Sequence, residues 1–321
     1  MPTSVSVIIA AKDSADTIVR AIASALNQAE VVQVIVVDDG SKDTTAQTAR
    51  DAGDGTGRVE VISLDRNYGP AYARNRALEV CRGQLAAILD ADDFLLPGRF
   101  TRLLPHADWD MIADNIAFVP TGYDAPLEIK GTDDAHPLSL EDFVLGNLTR
   151  DDMHRGELGF LKPVIRLAFL KTHNLSYNEG LRLGEDYDLY ARMLAAGARF
   201  KTTRTLGYGA VVRPNSLSGQ HRTEDLRRLA DADHDLLALP LSAPERHAIH
   251  LHETQTRNRY RHRHYLDLKR DKGAVATVMA LLGDPVSWLP VVKGVLRDKL
   301  SAPHAAPASS DVRYLFPLPE A

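Results

Sequence analysis

Short apolar runs alternate with amphipathic stretches through roughly the first 90 residues. Residues 5–11 (VSVIIAA), 34–37, 59–64 and 85–89 are each almost wholly apolar, as in strands buried on both faces of a parallel sheet. Between the first two, Ile18, Ala21, Ile22, Ala25 and Leu26 follow the i, i+3, i+4, i+7, i+8 spacing of a helix that lays one stripe on such a sheet. Ser41 is placed to cap a second helix over 44–52. Ala73, Ala77, Val80 and Cys81 give a third helix one packing face, behind the turn Asn67-Tyr68-Gly69-Pro70. This alternation predicts an α/β fold with a doubly wound, mostly parallel sheet flanked by helices.

Beyond residue 99 the pattern loosens. A strand is predicted within 109–117, a loop rich in Gly, Pro and Asp over 121–137, and a short helix opening at Ser139 with Asp142 as its capping-box partner. Segment 156–170 (GELGFLKPVIRLAFL) mixes apolar residues with Lys162 and Arg166; packing with snorkelling cations and contact with a substrate are both open readings. Tyr190, Met193 and Leu194 share the apolar face of a helix that Gly197 ends. A polar loop over 211–224 carries Arg213, Ser216, Ser218 and His221. Ser242, Pro244 and Glu245 start a long helix rich in basic residues. Residues 274–296 are apolar but broken by Asp284, Pro285 and Pro290, a pattern of packing or interfacial helices and not of a span. The Ala-, Pro- and Ser-rich tail from 301 is expected to be loose.

Composition narrows the class. A chain of 321 residues accommodates one large α/β domain with additions, or two domains. A net charge of −5 argues against non-specific nucleic-acid binding. Cys81 is the single cysteine, so no internal disulfide forms and a reducing cytosol fits. No signal peptide is seen at the N-terminus, and no run reaches the ~20 apolar residues of a spanning helix. A cytoplasmic enzyme is expected.

The candidate chemistry lies at strand ends. Strand 85–89 runs into Asp90, Ala91, Asp92 and Asp93. Three carboxylates there repel one another and resist desolvation, so they require a counter-charge. A divalent cation with a phosphate ligand supplies one; the competing reading is a helix cap and an acidic loop. Strand 34–37 ends in Asp38-Asp39-Gly40-Ser41, where Asp39 either meets a base or ribose or belongs to a simple turn. Both ends face the crevice where open α/β sheets bind ligands. No G-x-G-x-x-G follows the first strand and no G-x-x-x-x-G-K-[ST] occurs, so a nucleotide's phosphates would depend on a metal and basic side chains. Glu185 and Asp186 stand at the start of their helix, as caps or with Asp186 as a general base. The helix dipole stabilises an aspartate anion there, which a sugar hydroxyl tolerates because proton transfer can accompany bond formation.

Taken in order, VSVIIAA, VVDDGS, N-Y-G-P-A-x-A-R-N, LDADD and GEDYDLYAR resemble the motifs of family 2 glycosyltransferases, which have the GT-A fold. The resemblance covers residues 4–218. The GFLKPVIR and GEDYDLY segments are most similar to glucosyltransferases of bacterial exopolysaccharide assembly, such as those building succinoglycan. The resemblance implies a transferase domain over 1–220 (donor half about 1–100, acceptor half about 101–220); beyond it the residue pattern gives a helical extension over 221–300 and the tail over 301–321. The resemblance further implies a metal-dependent, inverting transfer of a sugar, glucose in this reading, from a UDP-sugar to a saccharide acceptor. Asp39 would bind uracil, with the backbone of Ala10, Ala11 and Lys12 lining the same pocket and Arg74 supporting the diphosphate. Asp92 would ligate Mg²⁺ or Mn²⁺ directly, with Asp90 as the other member of the pair and nearer the ribose, and Asp93 in support. Asp186 would be the catalytic base. One departure is the Ala11-Lys12-Asp13 segment, which lacks the aromatic residue the family often places beside the base. A lipid-linked acceptor and peripheral contact with the inner membrane face are open, as are the roles of His221 and the C-terminal helices. The alternative is a catalytically silent GT-A-like module that binds nucleotide or glycan.

Overall fold

The computed structural model describes residues 3–148, 158–213, 222–300 and 312–318. The chain forms two compact units, Met1–Pro214 with Ser310–Ala321, and Asn215–Ser309.

The first unit begins with the alternating run β1 (Val5–Ala11), α1 (Ile18–Leu26), β2 (Val31–Asp38), α2 (Thr45–Asp51), β3 (Val59–Ser63), α3 (Pro70–Val80) and β4 (Leu85–Ile88). These four strands are parallel, in the order β3-β2-β1-β4, and the central ones are apolar because both faces are covered: Val7, Ile8, Ile9, Val34 and Val36 are fully buried. Helix α1 lays Ile18, Ala21, Ile22 and Ala25 into that core.

The loosely patterned segment follows as β5 (Phe94–Leu95), α4 (Arg99–Leu103), β6 (Met111–Pro120), β7 (His136–Leu138), α5 (Leu140–Leu145), β8 (Val164–Arg166), α6 (Leu167–Thr172), α7 (Glu185–Ala195) and β9 (Phe200–Val212). Strand β8 runs antiparallel to both β4 and β6, whereas β6 and β9 pair parallel over a long ladder. The mixed sheet continues β4-β8-β6-β9-β5, and the longest ladders in it are parallel. Reversal at β8 carries the chain into α6 and on to α7, whose start lies against α3: Arg74 of α3 bonds Glu185 and Asp186.

Two local expectations change. Ser41 does not cap α2, which starts at Thr45; its hydroxyl accepts the Asp13 N–H at 2.8 Å, because the loops after β1 and β2 are tied to each other. The tail is not loose throughout: Arg313–Tyr314 form β10, antiparallel to β6, and Asn115 holds Phe316 by both its amide and its carbonyl, at 2.9 Å each. Residues 301–311 lie outside the described residues, as do Ser216, Ser218 and His221.

The second unit contains α8 (Thr223–Leu236), α9 (Ala243–Leu282) and α10 (Trp288–Leu300). The Ser242–Glu245 capping box forms as expected, with Pro244 in the first turn. A buried Asp233–His252 contact of 2.7 Å links α8 to α9. Gly273, at φ 82° and ψ 171°, interrupts α9 and divides it into two helical pieces.

Candidate active site

Helix α3 is the element on which the site is mounted. Gly69, with φ 101°, turns the chain into it, and Pro70 occupies the first helical position, where no N–H is needed. Asp39, at the end of β2, accepts the Tyr68 N–H at 2.6 Å and the Gly69 N–H at 2.8 Å. Its buried carboxylate therefore anchors the start of α3.

One turn further along, Arg74 is almost completely buried and reaches three carboxylates. Its guanidinium lies 3.0 Å from Asp90 Oδ1, 2.7 Å from Glu185 Oε1 and 3.1 Å from Asp186 Oδ1. Lys162, just before β8, contacts the other oxygens of two of them: Nζ is 2.9 Å from Asp90 Oδ2 and 2.9 Å from Asp186 Oδ2. Two cations thus bridge the tip of β4 to the start of α7. The capping alternative for Glu185 and Asp186 is not what the structure adopts, since Gly184 holds the cap position with no side-chain cap and both carboxylates point into the ion network.

Burial works against the Asp90 charge, but Lys162 and Arg74 outweigh it and bring the carboxyl down to about 2. Lys162 is likewise pushed down by burial and up by Asp186 and Asp90, and the carboxylates win, so it stays protonated. Burial raises Glu185 against the pull of Arg74.

Lys162 is itself held from behind. Arg99 is fully buried, grips Asp114 through Nε and Nη2 at 2.8–3.1 Å, and donates a 2.5 Å bond to the Lys162 carbonyl. Gly207 leaves the room that the Asp114 carboxylate occupies.

The remaining acidic residues of the β4 tip diverge. Asp93 turns inward, accepting the Tyr208 hydroxyl and the Val211 N–H at 2.8 Å each, and burial together with Asp90 and Asp92 pushes its carboxyl well above the usual range. Tyr208 in turn accepts the Asp90 N–H at 3.1 Å, tying the two aspartates. Asp92 is one-third exposed, with Arg213 Nε at 3.2 Å, and is raised by burial and by Asp90.

At the ends of β1, β2 and β3 lies a cavity of about 580 Å³ lined by Lys12, Asp13, Gly40, Ser41, Lys42, Leu64, Asp65, Arg66 and Asn67. Of Ala10, Ala11, Lys12 and Asp39, Lys12 is part of the lining of this cavity and the other three are not. The Ala11 carbonyl already accepts the Asp39 N–H at 2.8 Å.

Residues 6–167 match the description "Glycosyl transferase family 2". Succinoglycan biosynthesis protein ExoU of Rhizobium meliloti (strain 1021) is 49% identical over 98% of this chain and 96% of its own. ExoO of the same organism is 37% identical over 73% of this chain and 68% of its own. The chain belongs to glycosyltransferase family 2. The crystal structure of S. aureus TarS 1-349 in complex with UDP-GlcNAc superposes with a TM-score of 0.60 over 84% of this chain and 74% of that one, at 19% identity, and shares the GT-A fold.

The glycosyltransferase has one carboxylate that fits a divalent ion. Both oxygens of Asp90 are engaged by Arg74 and Lys162, and no group of three or more metal-binding side chains occurs among the described residues. Asp92 retains exposed carboxylate surface beside Arg213, next to the network in which Asp90, Glu185 and Asp186 meet Arg74 and Lys162. Ions of the magnesium type take one or two carboxylates and complete their shell with phosphate and water, so a single Asp92 ligand suits them.

Sequence reasoning left Lys162 undecided and gave no role to Arg99. A lysine in an apolar segment reads as a snorkelling cation. Only the order β4-β8-β6 brings it to the acidic tip.

Proposed function

We propose that this enzyme transfers glucose from UDP-glucose to a lipid-linked saccharide acceptor, with inversion, in exopolysaccharide assembly. The observation that carries the reading is the convergence of Asp90 and Asp186 on Lys162 and Arg74 in the crevice at the strand ends. The identity to ExoU along nearly the whole chain supports the choice of pathway class.

In this reading residues 1–100 take the donor, 101–220 take the acceptor, and 221–300 form an added helical unit. The cavity beside Lys12 accepts uracil, and Asp39 fixes its wall by holding the turn at Tyr68 and Gly69. Asp90 faces the ribose. Arg74, buried among Asp90, Glu185 and Asp186, supports the diphosphate through its charge. Asp92 holds Mg²⁺ or Mn²⁺, which when bound neutralises charge on the diphosphate.

Asp186 removes the proton of the acceptor hydroxyl as that oxygen attacks the anomeric carbon from the face opposite the diphosphate. The bond from the anomeric carbon to the diphosphate oxygen breaks, and its electron pair leaves with UDP. Lys162 and Arg74 keep the Asp186 carboxylate aimed, and Lys162 offsets the charge of Asp90 while the diphosphate is close. A single displacement of this kind inverts the anomeric centre.

The test is a screen of UDP-sugars by UDP release, with lipid-linked oligosaccharides as acceptors. UDP-glucose should give the fastest acceptor-dependent turnover, and the new linkage should be β. Preference for another donor would remove the glucose assignment; UDP binding with no turnover on any pair would remove the proposed reaction.

A further inference from the structure

The second unit presents an apolar surface that its own packing leaves uncovered. Beyond the interruption at Gly273, Val275, Val278, Met279 and Leu282 recur at the spacing of one helical face and are all exposed, Val275 by 80% and Met279 by 65%. On α10, Leu289, Val292 and Leu296 form a second exposed stripe, with Trp288 and Val286 at the bend between the pieces.

The orientation of α10 is set by its inner side. Ser287, Val291 and Gly294 are buried, and Gly294 lies so close to the His262 ring that a Cβ there would sit 2.4 Å from it. At 100° per residue, Leu289, Val292 and Leu296 fall on the opposite side of the helix. Lys293 and Arg297 flank that stripe on one side and Lys299 on the other, all exposed, whereas Asp298 turns inward to His262 at 3.3 Å. An apolar stripe bordered by cations is the pattern of a helix lying in a membrane interface.

The bend is built, not slack. Asp284 accepts the hydroxyls of Tyr265 at 3.2 Å and Ser287 at 2.5 Å, and Trp288 donates its indole N–H to the Leu281 carbonyl at 2.5 Å. The helices on either side differ in direction by 109°, and among the described residues no single helix is long and apolar enough to cross a bilayer.

We propose that the end of α9 and the outer face of α10 dock the enzyme on an anionic lipid surface, with the apolar stripes inserted and Lys293, Arg297 and Lys299 at the headgroups. A second copy of this chain meets the surface less well. A two-fold contact sets each patch against itself, and these cations would face their own kind. The inference goes beyond the proposed reaction and does not depend on which sugar is moved.

The experiment is flotation of the full-length protein with pure phosphatidylcholine vesicles and with mixed phosphatidylcholine–phosphatidylglycerol vesicles. The protein should float with the mixed vesicles, less with the neutral ones, and less again in high salt. Lys293→Glu with Arg297→Glu should lower the bound fraction on mixed vesicles about tenfold or more. Leu289→Glu with Val292→Glu, at exposed positions, should abolish binding while circular dichroism and the melting temperature stay unchanged. Three results would overturn the proposal: no binding to either vesicle, binding unaffected by both pairs of substitutions, or a dimer in solution that the same substitutions dissociate.

Discussion

Lys162 Nζ stands 2.9 Å from Asp186 Oδ2 and 2.9 Å from Asp90 Oδ2, so one ammonium joins the first turn of α7 to the tip of β4. Among the described residues, the three carboxylates Asp90, Glu185 and Asp186 share this lysine and Arg74 as their two cations. Removing a partner from such a buried network leaves uncompensated charge, at a cost of about 3–5 kcal/mol. Lys162→Met should therefore lower the melting temperature and reduce kcat. The double variant with Asp186→Asn should be less destabilised than the sum of the two single variants, because the residues interact directly. Additive losses in denaturant titrations would show that the contact carries no coupling.

Asp39 should prove a support for α3 as much as a donor contact. Asp39→Ala strips the partners from two backbone N–H groups, and each buried donor left unmet costs about 1–3 kcal/mol. Loss of stability and of UDP affinity should appear together, since Arg74 rides on the same helix. If affinity falls while the melting temperature holds, Asp39 is a ligand contact alone.

Asp92 should carry the metal dependence. Its carboxylate is part-exposed and, among the described residues, is ion-paired with Arg213 alone, so Asp92→Asn should fold normally. Calorimetry should show that Mn²⁺ strengthens UDP binding to the wild type and not to this variant. Equal enhancement in both proteins would move the ion elsewhere.

The acid limb of stability should have two slopes of opposite sign. Asp93, Asp92 and Glu185 have raised carboxyls, which bind protons more tightly in the folded chain, so protonating them favours the fold as pH falls toward their ordinary values of 3.8 and 4.5. Asp90 is lowered to about 2, so its contribution is present above 3.8 and lost as pH falls through about 2. Thermal melts should thus rise from neutral pH to a maximum near about pH 4 and then drop. Asp93→Asn should flatten the rise and spare the drop; a steady decline from neutrality in the wild type would contradict the burial argument.

Much of this architecture is legible in the chain. The apolar runs at β1, β2, β3 and β4 declare themselves because parallel strands buried on both faces admit little else. The acidic tip at Asp90 and Asp92 and the helix start at Asp186 are equally plain in the pattern. What the pattern withholds is long-range. Strand β8 is three residues long and β5 and β10 two each, too short for any periodicity to mark. Lys162 acquires its role from sheet order, and Arg99 from a carboxylate on β6 and a carbonyl beside β8. Ser41 looks like a cap until the loop after β1 claims its hydroxyl.

Turnover of Asp186→Asn, set beside its affinity for UDP, bears most directly on the chemistry proposed for this crevice. The substitution leaves Arg74 and Lys162 facing Asp90 and Glu185, two charges against two, so the fold should persist. Loss of a general base should slow acceptor-dependent UDP release by about a hundredfold or more, with UDP affinity preserved. Turnover near the wild-type rate, or loss of UDP binding along with it, would show that Asp186 organises the site without taking the proton.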